Sequence, residues 1–265
     1  MLSNVQIEIC IPRSLCAERK RAYTQALIKD IRLTAEELGG EAPACIHLRG
    51  AMLLPADCLS DMAISLRKSF PIADTFITCD MIPEFCNLGV MTVLRNLGTK
   101  WYTLYAGTMN AVDCRTLKGV NDLSLYDNLR RLLRSYDMHN FTVVLDTGIP
   151  GITAASLHDS LLRAAELEPG AIELRRCEGD EAVVSGAWTG PQLQAYRFCT
   201  NACGEIRVLP EMEELLLRSE PGSDSMFGIG CDAVTEIEDL RARNTSDPEE
   251  YIRYVGNPMR IMHME

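Results

Sequence analysis

Hydrophobic and polar positions alternate along Val5-Gln-Ile-Glu-Ile-Cys10, the pattern of a half-buried strand, which runs into a proline-containing loop ending at Cys16. From Ala17 to Leu38 the period lengthens: Tyr23, Ala26, Leu27, Ile31 and Leu38 recur at helical spacing, and Gly39-Gly40 supply the stop. The same alternation of short apolar runs and helical stretches continues. Strands are expected at Ala44–Leu48, Thr75–Cys79, Trp101–Tyr105, Phe141–Leu145 and Ala171–Leu174. Helices are expected at Pro55–Phe70, Glu84–Leu97, Ser124–Asp137 and Ala154–Leu167. Phe141-Thr-Val-Val-Leu145 is a continuous apolar run, as in a parallel strand buried on both faces. Strands alternating with helices in this way predict a parallel α/β sheet with right-handed crossovers, either a barrel or an incomplete one.

Beyond Cys177 the rhythm changes. A helix is expected around Gln192–Cys203, then a short strand Glu205–Val208 and a Glu- and Leu-rich helix. A glycine-bearing strand, Phe227–Cys231, comes next, and a last helix, Pro248–Val255, follows the N-cap segment Thr245-Ser-Asp247. This divides the chain into an α/β portion, 1–176, and a smaller α+β lobe, 177–265, packed on it.

Composition narrows the function classes. The 265 residues carry a net charge of −11, which argues against a nucleic-acid or anionic-membrane surface. The basic clusters Arg13 to Arg21, Arg130 to Arg134 and Arg175-Arg176 read as solvated helix faces and loop ends. No apolar run reaches the ~18 residues a spanning helix requires, and the start lacks a signal-peptide pattern, so a cytoplasmic protein is expected. The eleven cysteines are scattered and read as reduced thiols.

Several stretches together resemble the oxygen-independent coproporphyrinogen III oxidase family of radical S-adenosylmethionine (SAM) enzymes, whose relatives include heme chaperones. Gly228-Ile-Gly-Cys-Asp-Ala233 with Arg241-Ala-Arg-Asn-Thr-Ser-Asp-Pro-Glu-Glu-Tyr251 is similar to the family's glycine-rich strand and its "RxRN, then dPeeY" segment. Gly148-Ile-Pro-Gly-Ile-Thr153 is similar to "GLPGQT", Thr78-Cys-Asp-Met-Ile-Pro83 to "TxExNP", and Leu94-Arg-Asn-Leu-Gly98 with its following strand to "L...GvnRlSiG". The resemblance spans nearly the whole chain in order. It implies a partial (β/α)6 TIM-like barrel of the radical SAM type with a small C-terminal lobe, and an active site at the C-terminal strand ends.

That family's chemistry requires three cysteines at Cys-x3-Cys-x2-Cys spacing to ligate a 4Fe-4S cluster, leaving one iron for SAM. Setting Ile11-Pro12 on the family's "IP" places Ser14 and Glu18 at the first two ligand positions and the third near Arg21. Cys10 and Cys16 remain as weak metal candidates, with Cys45, Cys79 or Cys231 as a distant third thiol, though all read more simply as small hydrophobes. Of the family's "GGGTP" loop only Gly50 persists, and Arg49 brings positive charge toward a cationic sulfonium. Asp80 is a shortened form of the "TxExNP" carboxylate, or a helix cap. Gly107, Gly119, Asn121 and Val144 stand where the resemblance puts polar SAM contacts, while Asp146 lies two residues beyond Val144 on the same side. Gly50, Asp80, Asp146 and Gly148 are therefore the vestigial cofactor-binding positions.

Other chemistry is thin. His47, His139, His158 and His263 are far apart, and no zinc pattern, Walker loop, nucleophile elbow or dinucleotide fingerprint occurs. His47 reads as a satisfied core or rim histidine. Trp101, Tyr102, Tyr105 and Trp188 could line a flat ligand, but strand aromatics more often pack a core. The expectation is a family homologue without its cluster or SAM, acting as a binding or regulatory protein for a tetrapyrrole, another small metabolite or a protein partner. The alternatives are an active oxidoreductase with displaced cysteine ligands, holding a 4Fe-4S cluster and S-adenosylmethionine, and a hydrolytic or lyase activity rebuilt around Asp80 and Asp146.

Overall fold

The computed structural model describes residues 4–116, 123–148, 151–175, 187–200, 204–219, 225–257 and 262–264. In chain order the elements begin with β1 (Val5–Cys10), α1 (Lys20–Glu37), β2 (Cys45–Arg49), α2 (Ala56–Ser69), β3 (Phe76–Met81), α3 (Leu88–Leu97) and β4 (Thr99–Gly107). They continue with α4 (Ala111–Thr116), α5 (Leu123–Ser135), β5 (Phe141–Asp146), α6 (Ala154–Ala165), β6 (Ala171–Arg175), α7 (Pro191–Gln194), β7 (Arg197–Thr200) and β8 (Gly204–Val208). Last come α8 (Glu213–Ser219), β9 (Ser225–Gly230), β10 (Val234–Ile237), β11 (Leu240–Asn244), α9 (Pro248–Tyr254) and β12 (Met262–Met264). No helix among the described residues is long and apolar enough to cross a membrane.

These elements form two compact units, each assembled from separated stretches of chain. The first takes Met1–Asp80, Asn87–Lys100 and Ser219–Glu265, and the second Met81–Cys86 and Trp101–Arg218. The boundary expected between 176 and 177 lies outside the described residues.

In the first unit the strand order is β12-β11-β10-β9-β1-β2-β3, with β1 parallel to both β2 and β9. Alternation in β1 turns Ile7 and Ile9 toward a buried layer, where they are 1% and 0% exposed. α1 presents Tyr23, Leu27 and Ile31 as a buried stripe at helical spacing, so one face of the sheet is covered by helix. Local chemistry sets the helix ends; the α9 cap was expected from the sequence, whereas α3 begins at Leu88 behind Asn87 and not at Glu84. The Asn87 side chain accepts from Val90 N at 3.1 Å to cap α3, Gly98 closes α3 at φ 97°, and Asp247 caps α9.

In the second unit β4, β5 and β6 run parallel, and β8 and β7 are added antiparallel at one side. Here Trp101, Phe141 and Val143 are buried, and the Trp101 indole N–H donates to Thr142 Oγ1 at 3.0 Å. The Thr153–Ser156 pair forms a capping box at the start of α6.

Two sequence expectations fail locally. The helix expected around Gln192–Cys203 is helical only over Pro191–Gln194, and Arg197–Thr200 is instead the strand β7. Residues 201–203 lie outside the described part. Pairing with β8, from Arg197 opposite Val208 to Thr200 opposite Glu205, outweighs the weak helical pattern there. The hairpin β10–β11 has no counterpart among the expected elements. Its turn places Glu238 at φ 53° without the Asn-Gly or Asp-Gly signal that usually marks such a bend.

Candidate functional site

At the C-terminal ends of β1, β2 and β3 the face opposite the helices is polar. Register pairs Glu8 with His47, Cys10 with Arg49, and His47 with Thr78, so Glu8, Cys10, His47, Arg49, Thr78 and Asp80 share one side of the sheet. The arrangement follows from three strands that each end in a polar-x-polar pair, which alternation then aligns across the sheet.

Arg49 lies at the centre of this face. Its Nε and Nη2 donate to Cys10 Sγ at 3.0 and 2.7 Å, and Nη2 also donates to the Asp232 carbonyl at 3.1 Å. Glu8 Oε1 pairs with Arg49 Nε at 3.2 Å. Burial, reinforced by the Glu8 carboxylate, holds the Cys10 thiol well above the ordinary thiol range, although Arg49 pulls the other way. Cys10 is therefore a neutral thiol accepting hydrogen bonds rather than a thiolate.

His47 is held from both ring nitrogens. Nδ1 bonds Thr78 Oγ1 at 2.7 Å, and Nε2 lies 3.3 Å from Asp80 Oδ1. The second contact is poorly directed: Asp80 Oδ1 is buried and makes no well-formed hydrogen bond. His47 remains part-buried, and its Thr78 bond agrees with the sequence reading of a satisfied histidine. Asp80 faces His47 and does not cap a helix; α3 is capped by Asn87.

The other positions singled out from the sequence spread over the molecule. Gly50 sits at φ 71°, and a Cβ there would run into the Ile11 carbonyl, so its glycine is required by the close approach of the loop after β1. Cys16 is exposed at the start of a short 3-10 turn. Its thiol bonds the Glu18 carboxylate, which that bond and Glu18's own backbone N–H, the larger cause, hold below the usual range. Ser14 and Glu18 are exposed, and Arg21 pairs with Asp57 at 2.5 Å. Burial pushes Cys45 and Cys231 each up to about 11, and Cys79 is buried on the side of β3 away from Asp80. Among the described residues no three His, Cys, Asp or Glu side chains gather where they could hold a metal ion.

In the second unit Asp146 ends β5 beside Arg175 of β6, and a Cβ on Gly107 would come within 3.3 Å of its Oδ2. The Arg175 guanidinium stacks 4.6 Å from the centroid of the exposed Tyr105 ring and lies 3.8 Å from Glu173 Oε1. Gly148 is exposed just beyond β5, while Gly119, Asn121 and Ile149-Pro150 lie outside the described residues. Trp101 and Tyr102 are core residues, and Trp188 stacks with Arg207 at 4.0 Å. His139 and His158 bond main-chain carbonyls, of Glu168 and Ala187, through Nδ1. Sequence reasoning missed the Glu8–Arg49–Cys10 clamp. The paired polar-x-polar endings of β1 and β2 carry its signal, but only once their register is known.

Parallel strands separated by helices, with a polar face at the strand ends, define an α/β protein of the kind that places ligands at its carboxyl strand ends. No family model matches the sequence, and no curated protein matches it. Among solved structures the fold is similar to that of coproporphyrinogen III oxidase HemN from Escherichia coli, a radical SAM enzyme. The two share 19% identity at a TM-score of 0.75, over 98% of this chain and 71% of HemN. Elp3 from the archaeon Methanocaldococcus infernus is similar over 68% of this chain and 48% of its own, with 13% identity and a TM-score of 0.44, too distant to bear on the fold. The likeness to HemN shows a shared α/β fold, and chemistry has to be argued from the site.

Proposed function

We propose that this chain is a HemN-like protein that has given up the 4Fe-4S cluster and SAM and acts as a binding or regulatory protein. Its ligand is a small metabolite, with tetrapyrroles among the candidates because of the fold it shares. The observation that carries the reading is the grip of Arg49 on Cys10. A cluster ligand needs its sulfur open to iron, whereas the Cys10 sulfur already accepts two guanidinium N–H groups, at 3.0 and 2.7 Å. Cys16, the other cysteine of the same loop, is exposed and bonded to Glu18. The residues at hand do not fit the cluster, so no electron donor for sulfonium cleavage follows from them.

The competing reading, an oxidoreductase with displaced cysteine ligands, draws on the HemN likeness over 98% of the chain. Anaerobic iron–sulfur reconstitution separates the two. The proposal expects substoichiometric iron, no charge-transfer absorbance and no cleavage of added SAM. About four irons per chain with SAM turnover would establish the oxidoreductase. Thermal shift with porphyrins against SAM then addresses the ligand, since whatever binds the native state raises its unfolding midpoint.

A further inference from the structure

On the helix-covered side of the first unit's sheet, α1 and the strands β9 to β11 enclose a cleft of about 280 Å³. Phe227 lies opposite Ile7 in the β1–β9 register, so the cleft opens away from Glu8 and Cys10 and is independent of the strand-end site. Leu33, Phe227, Ile237 and Leu240 give it apolar walls, and its charge comes from Asp30 and Glu37, two turns apart on α1. Among the described residues neither Lys nor Arg lines it. The ammonium of the adjacent Lys29 donates to the Val255 carbonyl at 2.6 Å and is the smallest of the influences acting on Asp30.

The Asp30 carboxylate is fixed in place. The Tyr251 hydroxyl donates to Asp30 Oδ2 at 2.5 Å and accepts from Gly230 N at 3.1 Å, and Tyr251 itself is 0% exposed. Burial raises the carboxyl pKa, against the smaller lowering by the Tyr251 hydroxyl, the Gly230 N–H and Lys29, and among the described residues no Lys or Arg forms an ion pair with it. A neutral apolar guest would desolvate this carboxylate without compensation, and an anion would be repelled by both acids. A guest with a cationic head and an apolar tail meets both surfaces at once, and the volume lies at the small end of ligand pockets.

We propose that this cleft binds a short-chain aliphatic amine, its ammonium on Asp30 and its alkyl chain against Leu33, Phe227 and Leu240. Pentylamine serves as the probe, with 1-pentanol and pentanoate as neutral and anionic matches of the same length. Pentylamine should raise the unfolding midpoint in a concentration-dependent way and give a saturable isotherm by calorimetry, while the two controls do neither. Asp30→Asn keeps an acceptor for Tyr251 and should abolish the amine effect. Glu37→Gln alters an exposed rim residue without touching the core and should weaken binding about threefold. Equal shifts from pentanol, unchanged binding to both variants, or no pentylamine binding to the wild-type protein would each overturn the proposal. The iron measurement above does not bear on these outcomes, so the two proposals fail separately.

Discussion

The two sides of β1 solve different problems. On the helix side, Tyr23 of α1 reaches past the strand end, where its hydroxyl donates to the Cys10 carbonyl and accepts from Cys231 N, both at 2.8 Å. Tyr251 of α9 does the same for Gly230 and Asp30, and the two rings pack 5.3 Å apart. Both hydroxyls in this latch are buried and satisfied. On the opposite side, the Arg49 clamp holds charged groups at a half-open surface, where water competes for each contact. Rigidity belongs to the first side and adaptable chemistry to the second. A protein of this fold can therefore change its strand-end residues while keeping the strands in place.

Substitutions can test that division, and the largest effect should come from Gly230. It sits at φ 94°, and a Cβ would collide with the Cys10 carbonyl and crowd the Tyr23 hydroxyl. Gly230→Ala combines backbone strain with overpacking and should cost more than about 4 kcal/mol in a denaturant melt. A loss below about 1 kcal/mol would mean that the latch is not rigid.

Tyr23→Phe comes next. It leaves a buried carbonyl at Cys10 and a buried N–H at Cys231 without their partner, a loss of about 3 kcal/mol in all. The same melt measures it, and a near-neutral result would show that water replaces the hydroxyl.

Acid titration should reveal the smaller contribution of Asp30. Its folded pKa is raised above the ordinary 3.8, chiefly by burial. The unfolded chain then gives up this proton more readily than the folded one. The stability linked to Asp30 is thus complete below pH 3.8 and is lost as pH rises through the higher folded value. Melts at stepped pH should show Asp30→Asn gaining on the wild type as pH increases across this window. The wild type gaining on Asp30→Asn with rising pH would reverse the assignment. Glu18 and Glu168, whose values are lowered, act in the opposite direction, but Glu18 is exposed, Glu168 is half-exposed, and both are identical in the two proteins.

The smallest effect is expected on the polar side. Arg49→Met removes the clamp from a side chain that is 42% exposed, and stability should move by less than about 1 kcal/mol. Iodoacetamide should still fail to label Cys10 at neutral pH, because burial and Glu8 keep it protonated. Rapid labelling would show that Arg49, not burial, shields the sulfur.

Much of the first side's framework was legible from the chain. The alternation in Val5–Cys10 and the stripe Tyr23, Leu27 and Ile31 placed β1 and α1 correctly, because burial on one face imposes a period of 2 or 3.6 on the residues themselves. Gly39-Gly40 and Asp247 marked helix ends for equally local reasons. The candidate site was legible only in part. Asp80 and Cys10 were singled out, and Arg49 was recognised as a positive charge out of place beside a sulfonium. That Arg49 bonds Cys10, and that His47 faces Asp80, depends on strand register across more than 30 residues of chain.

By itself, the sequence determined an α/β alternation, the main helix boundaries and the absence of a Cys-x3-Cys-x2-Cys run, since each is written in residues close together along the chain. Tertiary structure decided the rest. It brought Tyr251 to Asp30 across 221 positions and set β9 beside β1. It also made a strand of Arg197–Thr200, because β8 supplies the hydrogen-bonding ladder that no local pattern there reveals.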